Sequence, residues 1–99
     1  MTPPDASGWD ACSGGWDRNS DRFERFVQSV TLELVESLGL YSGETVVELA
    51  CGPGGMLPLL AELVAPGGSV LAGDIAPGMV EAAIERARQS GMPGIEVSE

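Results

Sequence analysis

The sequence predicts an α/β chain forming the N-terminal half of a doubly wound parallel sheet, and three observations carry that prediction. Short β-rich apolar runs occupy 45–50, 69–75 and 95–97, helical spacing fills the segments between them, and glycine or proline marks the junctions. With short connections and right-handed crossovers, this alternation gives the element order α-β-α-β-α-β and the strand order 3-2-1. A ligand is then expected beyond the carboxyl ends of the strands.

Residues 1–18 read as a loop or lid segment, broken by Pro3, Pro4, Gly8, Gly14 and Gly15. Gly-Trp-Asp at 8–10 recurs at 15–17, which is too little for a repeat architecture. Trp9 and Trp16 have almost no large apolar neighbours in this segment, so they are expected to lie against the body of the domain or over a ligand. Residues 19–99 read as one partial ligand-binding domain. From Ser20 to Leu38, Phe23, Phe26, Val27, Val30, Leu34, Val35 and Leu38 fall on one helix face, which predicts a helix burying that stripe. Asp21 and Glu24 suggest a capping box at its start, and Gly39 a left-handed stop.

Thr45–Ala50 runs Thr-Val-Val-Glu-Leu-Ala without alternation, as expected of a parallel strand covered on both faces. Gly52-Pro53-Gly54-Gly55 breaks it. Met56–Ala65 is apolar nearly all round and predicts a buried helix, stopped by Pro66-Gly67-Gly68. Ser69–Ile75 predicts a second strand with Asp74 near its end. Pro77 opens a helix to Ser90, Gly91 and Pro93 stop it, and Ile95-Glu96-Val97 begins a third strand.

The composition narrows the chemistry. The chain has 99 residues, a net charge of -10, no histidine and two cysteines. Phosphate backbones and anionic lipid heads are repelled, so nucleic-acid and membrane-surface binding are not expected, and no apolar run is long enough for a membrane span. Without histidine the chain cannot build a Ser-His-Asp triad or a Cys-His dyad, and two cysteines cannot supply a four-ligand zinc site. No metal is expected. Unpaired Cys12 and Cys51, with no signal-peptide pattern, predict a reduced cytoplasmic setting. Cys51 reads as a small buried residue, not a nucleophile, because nothing identifiable would activate it.

The informative constellation is Glu48 and the turn Ala50-Cys51-Gly52-Pro53-Gly54-Gly55 at the first strand end, with Asp74 at the second. Adjacent strand tips in a parallel sheet lie side by side, so a ligand bridging them meets glycine backbone and a carboxylate together. Asp74, 22 positions after Gly52, is placed to accept both hydroxyls of a ribose. A dinucleotide fingerprint starting at Gly52 would need glycine or alanine where Leu57 stands. Glu48 would also oppose a pyrophosphate by about 1 kcal/mol at 4 Å even in water. A nucleoside with a cationic amino-acid tail fits better than NAD.

These residues resemble a known family. Val46–Gly55, then Val70–Val80 and the helix carrying Ala82, Ala83, Arg86 and Ala87, are similar to the first half of class I S-adenosylmethionine-dependent methyltransferases. The likeness is to the small-molecule branch that includes ubiquinone/menaquinone-biosynthesis-type enzymes, and the Trp9-Asp10 and Gly15-Trp16-Asp17-Arg18 opening shares it. The resemblance implies a Rossmann-like fold with S-adenosyl-L-methionine as cofactor. It implies that Glu48, Ala50, Cys51, Gly52, Pro53 and Gly54 line the methionine part, with Glu48 near the ammonium. Asp74 would bind the ribose, and Ile75 and Met79 would pack on the adenine. Met56 stands where the family places a third glycine.

The expected function is therefore the cofactor-binding part of a methyltransferase acting on a small-molecule acceptor. Its catalytic residues are not identified, and the chain reads as a fragment or truncated product. Two alternatives remain at this point. One is an NAD(P)-binding oxidoreductase fragment. The other is a non-catalytic interaction fragment, self-associating or joining a missing C-terminal half through the unpaired edge of the first strand.

Overall fold

The computed structural model describes residues 6–99. In chain order the elements are α1 (Ala6–Ala11), α2 (Ser13–Arg18), α3 (Ser20–Phe26), α4 (Gln28–Leu38), β1 (Thr45–Leu49), α5 (Leu57–Val64), β2 (Ser69–Gly73), α6 (Pro77–Ser90) and β3 (Ile95–Ser98). The strands form one parallel sheet in the order β1-β2-β3, with Glu48 opposite Ala72 and Val70 opposite Ile95. This is the predicted half of a doubly wound sheet. Ladder bonds continue past the assigned strands: Cys51 N donates to Gly73 O at 2.9 Å, and Asp74 N to Ser98 O at 3.3 Å. The three strand tips are thereby tied together where the site lies.

The core sits between the sheet and the helices of the crossovers. Leu57, Leu60, Ala61 and Val64 of α5 are buried against Val70 and Ala72 of β2 and Ala83 of α6, and Val35 of α4 closes the cluster. The nearly all-apolar α5 earns its burial by sitting between β1, β2 and α6. Gly39 and Gly91 adopt φ of 60° and 68° and end α4 and α6 in the left-handed conformation, as predicted.

Four expectations need correction. Residues 6–18 of the predicted loop form two short helices, α1 and α2; Pro3 and Pro4 lie outside the described residues. Glycine's poor helix propensity is overridden here by packing of both helices on α6. Second, β1 is not covered on both faces. Its burial alternates, and Val47, Leu49 and Leu71 share an exposed sheet face, Leu49 at 81%. Successive right-handed crossovers in one direction put α5 and α6 on the same side, so the opposite face receives no helix among the described residues.

Third, Asp21 and Glu24 form no capping box: the turn before α3 has no side-chain cap, Asp21 pairs with Arg86, and Glu24 faces the cavity described below. Fourth, the helix stripe faces outward in part. Phe26, Val30, Leu34 and Leu38 are exposed, Phe26 at 86%. The side turned to the domain is a mixed stripe of Trp16, Ser20, Phe23, Glu24, Val27, Thr31 and Val35, at i, i+4, i+7, i+8, i+11, i+15 and i+19, with Phe23 still 42% exposed. That stripe runs through α2, α3 and α4 because i to i-4 bonds continue across Asn19 and Val27. At Asn19 the side-chain amide donates to Gly15 O at 2.8 Å, competing with the backbone N–H for that carbonyl, which loosens the turn.

Candidate functional site

The turn after β1 is built to bring main chain to the surface of a cleft. Ala50, Gly52 and Gly54 all have positive φ, at 55°, 57° and 84°. For Ala50, the one non-glycine residue described with positive φ, this conformation is a local strain held by the surrounding structure. Asp74 fixes the turn from the next strand tip. Its Oδ2 accepts from Gly52 N and its Oδ1 from Ala76 N, both at 2.9 Å. Each oxygen keeps an acceptor position, so the carboxylate is oriented without being exhausted.

This turn forms one wall of a cavity of about 460 Å³, within the range of small-molecule sites. From the β1 end, Glu48, Ala50, Cys51, Gly52 and Pro53 line it; from β2 and α6 come Asp74, Ile75 and Met79. Trp9 and Trp16 close it from the N-terminal helices. All the residues singled out from sequence meet at this cavity except Gly54. Gly54 instead lets α6 pack on the turn: a Cβ there would lie 3.0 Å from both Cα and Cβ of Ala83. Its glycine requirement combines that helix packing with its positive φ.

Gly55, part of the turn singled out from sequence, also lines the cavity, as do Ser20, Phe23, Glu24 and Met56, which sequence reasoning did not assign to the site. Trp16 and Phe23 meet edge to face with centroids 5.2 Å apart, making an aromatic wall. The signal for Ser20, Phe23 and Glu24 was available, since they continue the helical spacing set by Trp16.

Electrostatics distinguish the carboxylates. Glu48 Oε2 is buried without a hydrogen-bond partner, the one such side-chain atom among the described residues. Burial first, and then the charge of Glu24, push the Glu48 pKa up to about 7. Glu24 is itself raised by burial, offset in part by the Arg86 charge. Burial, reinforced by Glu48 and Asp74, pushes the Cys51 thiol up to about 11, which makes it inert near neutrality. Cys12 is also free, so the two cysteines form no bridge. Among the described residues no cluster of His, Cys, Asp and Glu is placed to hold a metal. No helix of the described residues is long and apolar enough to cross a membrane.

A cleft with three carboxylates, a bare backbone turn and aromatic cover suits a ligand with hydroxyls, a flat apolar ring and positive charge. The comparisons with known proteins agree with that chemistry. The aklanonic acid methyltransferase DauC of Streptomyces sp. (strain C5) is 34% identical over 86 residues, covering 83% of this chain and 39% of that protein. A SAM-dependent methyltransferase from Aquifex aeolicus is similar in structure, with a TM-score of 0.64 and 33% identity over 68% of this chain and 36% of that one. A methyltransferase from Geobacter sulfurreducens, solved with S-adenosyl-L-homocysteine, gives a TM-score of 0.57 at 25% identity over 69% of this chain and 27% of that one. The chain spans 18% and 39% of the length of the curated relatives it matches. Residues 46–99, carrying β1, the glycine turn, Asp74 and α6, match the family described as methyltransferase domain, and the chain belongs to that family.

Proposed function

We propose that the chain binds S-adenosylmethionine in this cavity and serves as the cofactor-binding part of a methyltransferase for a small-molecule acceptor. The observation that carries the reading is the buried, unpartnered Glu48 Oε2 on the cavity wall. A buried carboxylate without a donor is costly, and an ammonium at that oxygen removes the cost. The remaining residues fit the same ligand. Asp74 keeps one acceptor position on each oxygen for a ribose diol, Ile75 and Met79 offer apolar contact to a purine, and the turn presents backbone without side chains.

S-adenosylmethionine carries its methyl group on a sulfonium, already activated for transfer to a nucleophile. The chain's own contribution is therefore to hold and align and to keep water out, which Trp9, Trp16 and Phe23 are placed to do. The likeness to DauC supports a small-molecule acceptor, and a net charge of -10 opposes a nucleic-acid one. The NAD(P) alternative loses further ground: Leu57 is fully buried in the core, and Pro58 removes an N–H from the first turn of α5, where a pyrophosphate would seek donors. A second reading, pairing through the β1 edge, is favoured by the place of β1 at the end of the sheet order, and sedimentation velocity reads it directly.

Isothermal titration of the folded chain is expected to give one site for S-adenosylmethionine, weakened tenfold or more by Glu48→Gln. Absence of heat from a chain with an intact far-UV spectrum, or enhanced NADH fluorescence on mixing, rejects the reading.

A further inference from the structure

We propose that Arg86 is a positioning residue that latches the N-terminal helices over the cavity by tying them to the glycine turn. One guanidinium serves three segments. Its Nε donates to Pro53 O of the turn at 3.2 Å, Nη1 to Asp21 Oδ1 of α3 at 2.9 Å, and Nη2 to Asp17 Oδ1 of α2 at 3.4 Å. The Arg86 side chain is 23% exposed, so the fork is held in place and not splayed into solvent. Lysine has one point of charge and cannot reach all three acceptors in this fixed geometry.

The latch adds a directional tie to the packing of α1 and α2 on α6. Neither α1 nor α2 contains a fully buried residue, so their packing on the domain is peripheral. Two polar seats accompany it. Asp10 Oδ1 accepts from Gly78 N at 2.5 Å at the start of α6, and Ser13 occupies the space a Cβ at position 78 would need. Further along, the Glu24 carboxylate of α3 lies over Gly55, where a Cβ would come within 2.6 Å of its Oε1. Positions 55 and 78 thus read as landing points for the cover. Since Arg86 touches both turn and cover, ordering the turn around a ligand favours closure, and closure favours the ligand.

The ligand arm of this proposal rests on the S-adenosylmethionine reading; the closure arm does not. Trp9 and Trp16 are the chain's two tryptophans and both belong to the cover, so acrylamide quenching of intrinsic fluorescence measures closure with no ligand present. Arg86→Gln is expected to raise the quenching constant about twofold with an unchanged far-UV spectrum, and to weaken S-adenosylmethionine about three- to tenfold. Arg86→Lys should fall between. The double variant Asp17→Asn, Asp21→Asn should reproduce the Arg86→Gln quenching and add nothing to it when combined.

Unchanged quenching in folded Arg86→Gln, or fully additive effects in the combination, overturns the latch. Should Arg86→Gln fail to fold, the Asp17, Asp21 variant, altered on the solvent side of the contact, decides alone: unchanged quenching refutes, raised quenching supports. A wild-type chain that fails to bind S-adenosylmethionine, while the variants still alter quenching, removes the functional reading and leaves the latch standing.

Discussion

Replacing Glu48 by glutamine separates the cost of burying a charge from the use made of it. In the native chain the carboxyl titrates near pH 7 against 4.5 for the free group, chiefly because it is buried. A carboxyl whose folded pKa is raised keeps its proton in the native state while the unfolded chain loses it. Stability from this group is therefore full below about pH 4.5, declines as the pH rises towards 7, and is flat above that. A shift of that size corresponds to about 3 kcal/mol; partial solvent access reduces the expectation to about 2 kcal/mol.

Glutamine has no charge to bury, so the difference between wild type and Glu48→Gln should change by about 2 kcal/mol between pH 5 and pH 8, in favour of the variant at the higher pH. Urea denaturation of both proteins at the two pH values measures this, and comparing them cancels the general self-repulsion of an acidic chain. The same site predicts proton release when a cationic ligand binds near pH 6, because an ammonium at Glu48 stabilises the ionised form. Apparent affinity should rise with pH up to about 7 and then level, while Glu48→Gln binds weakly with no pH dependence. Parallel pH–stability curves for the two proteins would refute the reasoning.

Three other substitutions or reactions test the surrounding turn. Gly54→Ala combines a φ of +84° with a 3.0 Å approach to Ala83, so thermal melts should show a loss of about 2–4 kcal/mol. Ala50→Gly relieves the φ of 55° and should gain about 0.5–1 kcal/mol, after the extra freedom of glycine in the unfolded chain is counted; a loss would mean the alanine methyl packs usefully. Titration with a disulfide reagent at pH 8 should release one equivalent promptly, from exposed Cys12, and the second only on unfolding, since Cys51 is buried with its thiol near 11.

The strands, their order and the two helices that cross between them were legible because each depends on a local pattern. β-branched residues at 45–47, the break at Gly52–Gly55 and the Pro77-to-Gly91 helix mark themselves in one dimension. The N-terminal third was less legible, because its order depends on contacts distant in sequence. Glycines 8, 14 and 15 argue for a loop locally, yet α1 and α2 are helical through packing on α6. Asp21 and Glu24 have the right spacing for a cap, yet one pairs with Arg86, 65 positions on, and the other faces the cavity. No window of sequence short enough to show a period contains both ends of such a contact.

The two carboxylates foreseen at the strand tips also differ in a way that sequence could not reveal. Asp74 is held by two backbone N–H donors and does structural work for the turn whether or not a ligand is bound. Glu48 has a buried oxygen that no described residue satisfies. If the position served stability alone, glutamine or an apolar residue would serve better, since replacing an unpaired buried charge is favourable. The position of that oxygen on the cavity wall is what the proposed cationic ligand accounts for: under that reading the cost to stability is recovered when the ligand binds. The proposed latch fits the same logic: an unpaired anion in a cleft gains from being sealed only when a cation is inside, and on that proposal polar contacts such as Arg86 to Asp17 and Asp21 hold a cover that can open.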